Sequence, residues 1–196
     1  MIVDALVEGP TDEAVARRLI HHCKHEFGVA FGKHGLSFMR AKIAGFNVRA
    51  RYGNPILALV DAMDTGAPCP PEILSTWLPD RSPKFLLRAV VPELESWLIA
   101  DCAGLAALLG ISAALVPTEP ERLADPKQTL VNQARRSRHT RVRAALVPPA
   151  GSSHPVGPGY VSRLEEFVLQ RWDISSAAER SESLRRCIQR LRELEP

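Results

Sequence analysis

Two short apolar runs in this chain each stop at a carboxylate. Ile2-Val3-Asp4-Ala5-Leu6-Val7 runs into Glu8, and Pro55-Ile56-Leu57-Ala58-Leu59-Val60 runs into Asp61. Runs of about four to eight residues of this kind read as buried strands. An acid that closes a buried strand is hard to explain as solvated surface. Two such strands are the simplest way to bring acids together at the C-terminal edge of a parallel sheet, where ligands of open α/β sheets bind. Carboxylates converging there point to a divalent cation, because Mg²⁺ prefers oxygen ligands.

The rest of the first half alternates strand and helix. Thr11 or Asp12 can cap a helix that reaches about Phe27, with Val15, Leu19, Cys23 and Phe27 spaced four apart and Gly28 as its stop. Residues 36–43 read as a weak second strand, and 45–53 as a short helix or a loop. Residues 56–60 and 85–91 are clear strands, with a helical stretch at 72–78 between them. Pro92 suits a first helical position ahead of a helix over 93–100, and 103–109 forms another that Gly110 ends. This order predicts a mainly parallel sheet with helices on both faces. After residue 111 the strand signal disappears. A helix is expected over 127–143, a Pro/Gly-rich loop over 147–159, and helices over 161–171 and 183–194, with Trp172-Asp173 and Ser175-Ser176 between the last two. The expected architecture is an α/β domain over 1–110 with a helical C-terminal extension over 111–196 packed on it.

Composition narrows the function. No apolar run approaches the roughly 18 residues of a membrane span. The N-terminus has no basic leader, and its first run is broken by Asp4, so it reads as a strand. Cys23, Cys69, Cys102 and Cys187 are far apart and form no CxxC pair, which predicts reduced, mostly buried thiols and a cytoplasmic protein. No G-x-x-x-x-G-K-[ST] occurs, so ATP is not bound in that manner. His21 and His25 share a metal-ligand spacing, but nothing completes the set, and they read as surface residues of the first helix.

The net charge of +3 is uneven: residues 1–126 carry 12 Lys/Arg against 15 Asp/Glu, and residues 127–196 carry 13 against 7. Lys127, Arg135, Arg136, Arg138, Arg141 and Arg143 lie in a stretch without one acid. That stretch points to a polyanionic partner, DNA or RNA. Arg135, His139 and Arg143 at i, i+4 and i+8 would share a helical face, with Arg138 beside them, and could track a phosphate backbone. A solvated helix face is the alternative. Scarce Tyr and Trp argue against stacking of single strands.

Two-metal phosphoryl transfer needs several acids around the ions. Glu8, Asp61 and Asp64 each follow a strand. Glu93 and Glu95 follow the third clear strand and can reach the same edge as ligand or general base. The alternative for Glu93 is a helix-dipole partner, and for Asp64-Thr65 a turn before Gly66. Lys127 could neutralise a phosphate or its transition state, or be a helix-start surface lysine.

Leu6-Val7-Glu8-Gly9-Pro10-Thr11-Asp12-Glu13 resembles the first motif of the Toprim fold, found in topoisomerases, primases, recombination mediators, small ribonucleases and OLD-type (overcoming lysogenization defect) nucleases. In those proteins a Glu after the first strand and an Asp-x-Asp after a later one bind Mg²⁺. Leu59-Val60-Asp61-Ala62-Met63-Asp64 occupies the second motif's place but departs from it: Met63 stands where the second Asp belongs, and Asp64 comes one residue late. Either Asp64 substitutes with shifted geometry, or the site binds metal weakly or not at all. Val91-Pro92-Glu93-Leu94-Glu95-Ser96-Trp97-Leu98-Ile99-Ala100-Asp101, Asp125-Pro126-Lys127, Trp172-Asp173 and Ser181-Glu182-Ser183-Leu184 resemble a bacterial Toprim-like family related to the OLD-type nucleases. The resemblance implies a neighbouring ABC- or AAA-type ATPase partner and a role in phage defence.

The expectation is therefore a Mg²⁺- or Mn²⁺-dependent nuclease. Glu8, Asp61, Asp64, Glu93 and Glu95 are the candidate metal ligands. Glu8, Asp61, Glu95 and Lys127 are the candidate catalytic residues, and Lys127, Arg135, Arg138, His139 and Arg143 would hold nucleic acid. The rivals are a degenerate Toprim binding subunit of a partner ATPase, and a metal-dependent phosphatase or nucleotidyl transferase.

Overall fold

The computed structural model describes residues 1–66 and 69–195. Strands β1 (Ile2–Val7), β2 (Glu26–Gly32), β3 (Ile56–Asp61) and β4 (Phe85–Val90) form one parallel sheet in the order β2-β1-β3-β4. Helices α1 (Pro10–His22), α2 (Gly35–Tyr52) and α3 (Pro70–Trp77) connect them. Among the described residues seven helices follow: α4 (Leu94–Ala100), α5 (Cys102–Leu109), α6 (Pro126–Arg135), α7 (Thr140–Leu146), α8 (Tyr160–Gln170), α9 (Ile174–Arg180) and α10 (Glu182–Arg192). The protein is an α/β fold with a Rossmann-like parallel sheet flanked by helices.

The chain divides into two compact units: Met1–Val91 with the chain from Ser183 onward, and Pro92–Glu182. The division falls at Val91, not at 110, and the last helix belongs with the sheet. The reason is the apolar face of α10: Leu184, Cys187, Ile188 and Leu191 are buried. The Cys23 thiol donates to the Ile188 carbonyl at 3.7 Å, and His25 Nε2 lies 2.9 Å from the Leu191 carbonyl.

In the first unit, β1 from Val3 and β3 up to Val60 are buried without interruption, as strands covered on both faces must be. Leu6, Ile56, Ala58, Val60, Phe85, Leu87 and Ala89 pack with Met39, Ile43 and Ala50 of α2 and Ile73 of α3. α1 buries Val15, Leu19 and Ile20.

Two expected elements are exchanged. The first helix stops at His22, because Lys24 takes a left-handed φ of 63° that a helix cannot continue through. Phe27 keeps the four-residue spacing by coincidence and belongs to β2. Gly28 is no helix stop: it lies where the β1–β2 register slips between Val3 and Ala5, and a Cβ there would strike the Asp4 carboxylate. Asp4 Oδ1 accepts the Val29 N–H at 2.9 Å, which satisfies the bulged backbone. The expected strand over 36–43 is the first half of α2, whose buried Met39, Ile43, Asn47 and Ala50 follow a helical period.

In the second unit every residue of α4 is buried, Trp97 completely. The Trp172 indole donates to the Trp97 carbonyl at 3.2 Å. Asp101 caps α5 through the Gly104 N–H and also accepts the Asp173 N–H, each at 2.9 Å. Helix α4 starts at Leu94 with Glu93 as its N-cap, one residue later than Pro92 led us to expect. The single helix expected over 127–143 is two, and α9 replaces a connecting segment. Among the described residues no single helix is long and apolar enough to cross a membrane. All four cysteines are free thiols; Cys23 and Cys187 are buried, while Cys69 is exposed and Cys102 half-buried.

Candidate active site

The strand order reverses beside β1. The chain leaves β1 for β2 on one side, then returns to pair β3 on the other. The crevice at such a switch point, outside the C-terminal ends of the strands, is where open α/β sheets bind their ligands. Glu8 is the residue directly after β1, and Asp61 is the last residue of β3. Leu6 pairs with Ala58, so Glu8 comes level with Val60, the neighbour of Asp61. The sheet thus sets the two expected acids at the ends of the two strands that flank the switch. Among the described residues, one oxygen of each, Glu8 Oε1 and Asp61 Oδ1, is buried with no hydrogen-bond donor to it, while each residue is held by a further interaction.

Asp64 stands apart in character. The chain turns through a 3-10 segment, Ala62–Thr65, where Thr65 Oγ1 donates to the Ala62 carbonyl at 2.7 Å and Gly66 closes the turn at a φ of 70°. Asp64 and Met63 are both exposed on that turn. Among the described residues no group of three or more His, Cys, Asp or Glu side chains is placed to hold a metal ion. Two carboxylates still suit Mg²⁺, which keeps several waters and takes one or two protein carboxylates beside substrate phosphates.

Glu93 and Glu95 are buried within the second unit, where they meet Lys127 and Tyr160. Glu93 Oε1 accepts the Lys127 backbone N–H at 2.6 Å, and its Oε2 lies 3.3 Å from Lys127 Nζ. Glu95 Oε1 accepts the Tyr160 hydroxyl at 3.0 Å and lies 3.8 Å from Lys127 Nζ. The start of α6 explains the arrangement. Pro126 has no N–H, Glu93 takes that of Lys127, Asp125 Oδ1 takes that of Gln128 at 2.7 Å, and the Asp125 carbonyl takes that of Thr129. The Asp-Pro-Lys motif is therefore a capped helix start whose lysine is paired with two glutamates. Burial pushes the Glu95 carboxyl up to about 7, against the pull of Lys127, with the Glu93 charge adding to the rise. Burial and the neighbouring Glu95 also push the Tyr160 hydroxyl well up, so it stays a donor.

The expected basic face does not form. α6 ends at Arg135 and α7 begins at Thr140, so Arg135, His139 and Arg143 do not share a helix. Ser137 breaks the run: its hydroxyl takes the His139 N–H at 3.1 Å, offering the backbone an alternative to the helix. The Arg143 guanidinium turns back to the Ser137 carbonyl at 2.8 Å. His139 lies against Gly110, where a Cβ would meet its Nε2 at 2.6 Å, and lines a small cavity with Arg163 and Arg171. Arg138 remains exposed.

Compared with known proteins, the chain matches no family model, no curated protein and no solved structure. Sequence reading also missed Tyr160, whose partner Glu95 is 65 residues away. A lone tyrosine after a Gly/Pro-rich loop carries no signal for such a contact.

Proposed function

We propose that this protein is a divalent-metal-dependent nuclease that hydrolyses phosphodiester bonds, with Glu8 and Asp61 as its metal ligands. One observation carries the reading: the two acids end the strands on either side of the topological switch point. Bound there, Mg²⁺ or Mn²⁺ would supply a Lewis acid for the phosphoryl group. Glu8 and Asp61 would fix the ion from two adjacent strands, and rigid strand ends hold ligands better than loops do. The resemblance to Toprim and OLD-type nucleases supports the same chemistry and adds an ATPase partner acting with this chain.

The test is cleavage of plasmid, single-stranded DNA and tRNA in Mn²⁺ by the purified protein and by Glu8→Gln and Asp61→Asn. Both substitutions should abolish cutting; cutting that survives both would overturn the assignment.

A second reading, a non-cleaving Toprim subunit for an ATPase, is favoured by exposed Met63 and Asp64 in the place of the second motif. Calorimetry with Mn²⁺ separates the two, since a degenerate site gives no heat that depends on Glu8 and Asp61.

A further inference from the structure

Arg88 is the half-buried position of otherwise buried β4, and its surroundings are unusual. It is an arginine in an edge strand of the sheet, beside the buried thiol of Cys187 on α10. Its Nε is buried and has no hydrogen-bond partner among the described residues. The cations Arg190, Arg81 and Arg186 are among the groups that act on it. Burial holds its guanidinium below the ordinary arginine value, against the opposing pull of Cys187, and the three cations add to the fall. Arginine does not release its proton in proteins, so these side chains stay cationic.

The sequence around the cluster has the same bias. Residues 81–92 contain Arg81, Lys84 and Arg88 and no acid, and residues 183–192 contain Arg185, Arg186, Arg190 and Arg192 and no acid. On α10 the four arginines are exposed, while Leu184, Cys187, Ile188 and Leu191 anchor the opposite face. Arg186 and Arg190 are one turn apart and so project side by side. Arg190 also pairs with Glu193 at the helix end, a contact open to solvent that a stronger anion can displace.

We propose that Arg81, Arg88, Arg186 and Arg190 form a surface that binds the phosphate backbone of duplex nucleic acid. Arg186 and Arg190, four residues apart on α10, are separated by about 6 Å along its axis at 1.5 Å per residue. A duplex carries one charge per roughly 1.7 Å of axis, so two cations at that spacing can meet neighbouring phosphates of a polymer. No aromatic side chain lies between 181 and 193, so the stacking that single strands need is missing there. The inference rests on the reading of nucleic acid as the partner, but not on cleavage.

The experiment is binding of a short fluorescent DNA duplex in EDTA, by anisotropy over a salt series. Each phosphate contact contributes about −0.9 to the slope of log K against log salt, so Arg186→Gln with Arg190→Gln should reduce the slope by about 1.8. At about 0.15 M salt that corresponds to a roughly thirtyfold loss of affinity. Both residues are exposed, so the double variant should keep its melting temperature. Arg88→Gln should weaken binding in the same direction. Arg135→Gln with Arg138→Gln should bind as wild type does. Wild-type affinity and slope in the Arg186/Arg190 variant would overturn the proposal. So would a wild type that ignores the duplex but binds polyglutamate through these arginines, which would assign the surface to an acidic protein. Because EDTA removes cleavage, loss of hydrolysis in Glu8→Gln with binding retained separates this surface from the metal site.

Discussion

Glu95→Gln should make the protein more stable, and only above a defined pH. The Glu95 carboxyl is raised from 4.5 to about 7 by burial. The folded state therefore holds a proton that the unfolded chain gives up through the same window. Stability from this group is fully present below pH 4.5 and is lost as pH rises through 7. At about 1.4 kcal/mol per pH unit, the rise from 4.5 to about 7 corresponds to about 3 kcal/mol. Glutamine keeps the shape and the acceptor for the Tyr160 hydroxyl without a charge to desolvate. Lys127 is not stranded, since Glu93 remains 3.3 Å from its ammonium. Wild type and variant should match near pH 4.5, and the variant should be more stable by about 3 kcal/mol above pH 7. For a chain of this size that is roughly 6–12 °C in melting temperature. Trp97 and Trp172 are fully buried in the second unit and report its unfolding by fluorescence. A Trp77→Phe background removes the signal of the first unit. Parallel loss of stability by wild type and variant across this pH range would refute the reasoning.

Asp101→Ala should lower stability by about 4 kcal/mol in denaturant unfolding, because it strands the N–H groups of Gly104 and Asp173, each costing about 1–3 kcal/mol. Less than about 1 kcal/mol would mean that water replaces the carboxylate. Met63→Asp supplies a carboxylate at the place where the resembled motif has one, on an exposed turn that tolerates it. Mn²⁺ affinity by calorimetry should rise about tenfold, or about 1.4 kcal/mol. Adding Glu8→Gln should abolish the gain, and an unchanged affinity would separate the turn from the metal site.

The strands that carry Glu8 and Asp61 were legible because their burial is continuous: an unbroken apolar run needs no period to be recognised. β2 was not, because it is an edge strand with half-exposed residues and a bulge at Gly28, so neither alternation nor an apolar run marks it. α2 was misread for the converse reason. A stretch of 18 residues with small and charged side chains on its exposed face shows two-residue alternation by chance in its first turns. The break between α6 and α7 depends on hydrogen bonds of Ser137, a residue that occurs in helices as readily as out of them.

The candidate acids show how far residue type and spacing carry a site. Glu8, Asp61, Glu93 and Glu95 look alike in sequence, since each follows an apolar strand. In the structure Glu93 completes the cap of α6 and neutralises Lys127, and Glu95 is buried against Tyr160. Their distinguishing partners come from helices that begin 33 and 65 residues beyond them. Asp61 and Glu8 take their position from the sheet itself, whose order follows from short connections and the continuous burial of β1 and β3. The same contrast separates the two basic regions. The stretch over 127–143 is rich in arginine, but the turn at Ser137 scatters it. The arginines of α10 are interleaved with the apolar residues that pack it against the sheet, so the packing that buries one face gathers the charges on the other. A charge run predicts a binding face only where a continuous amphipathic element holds it in register.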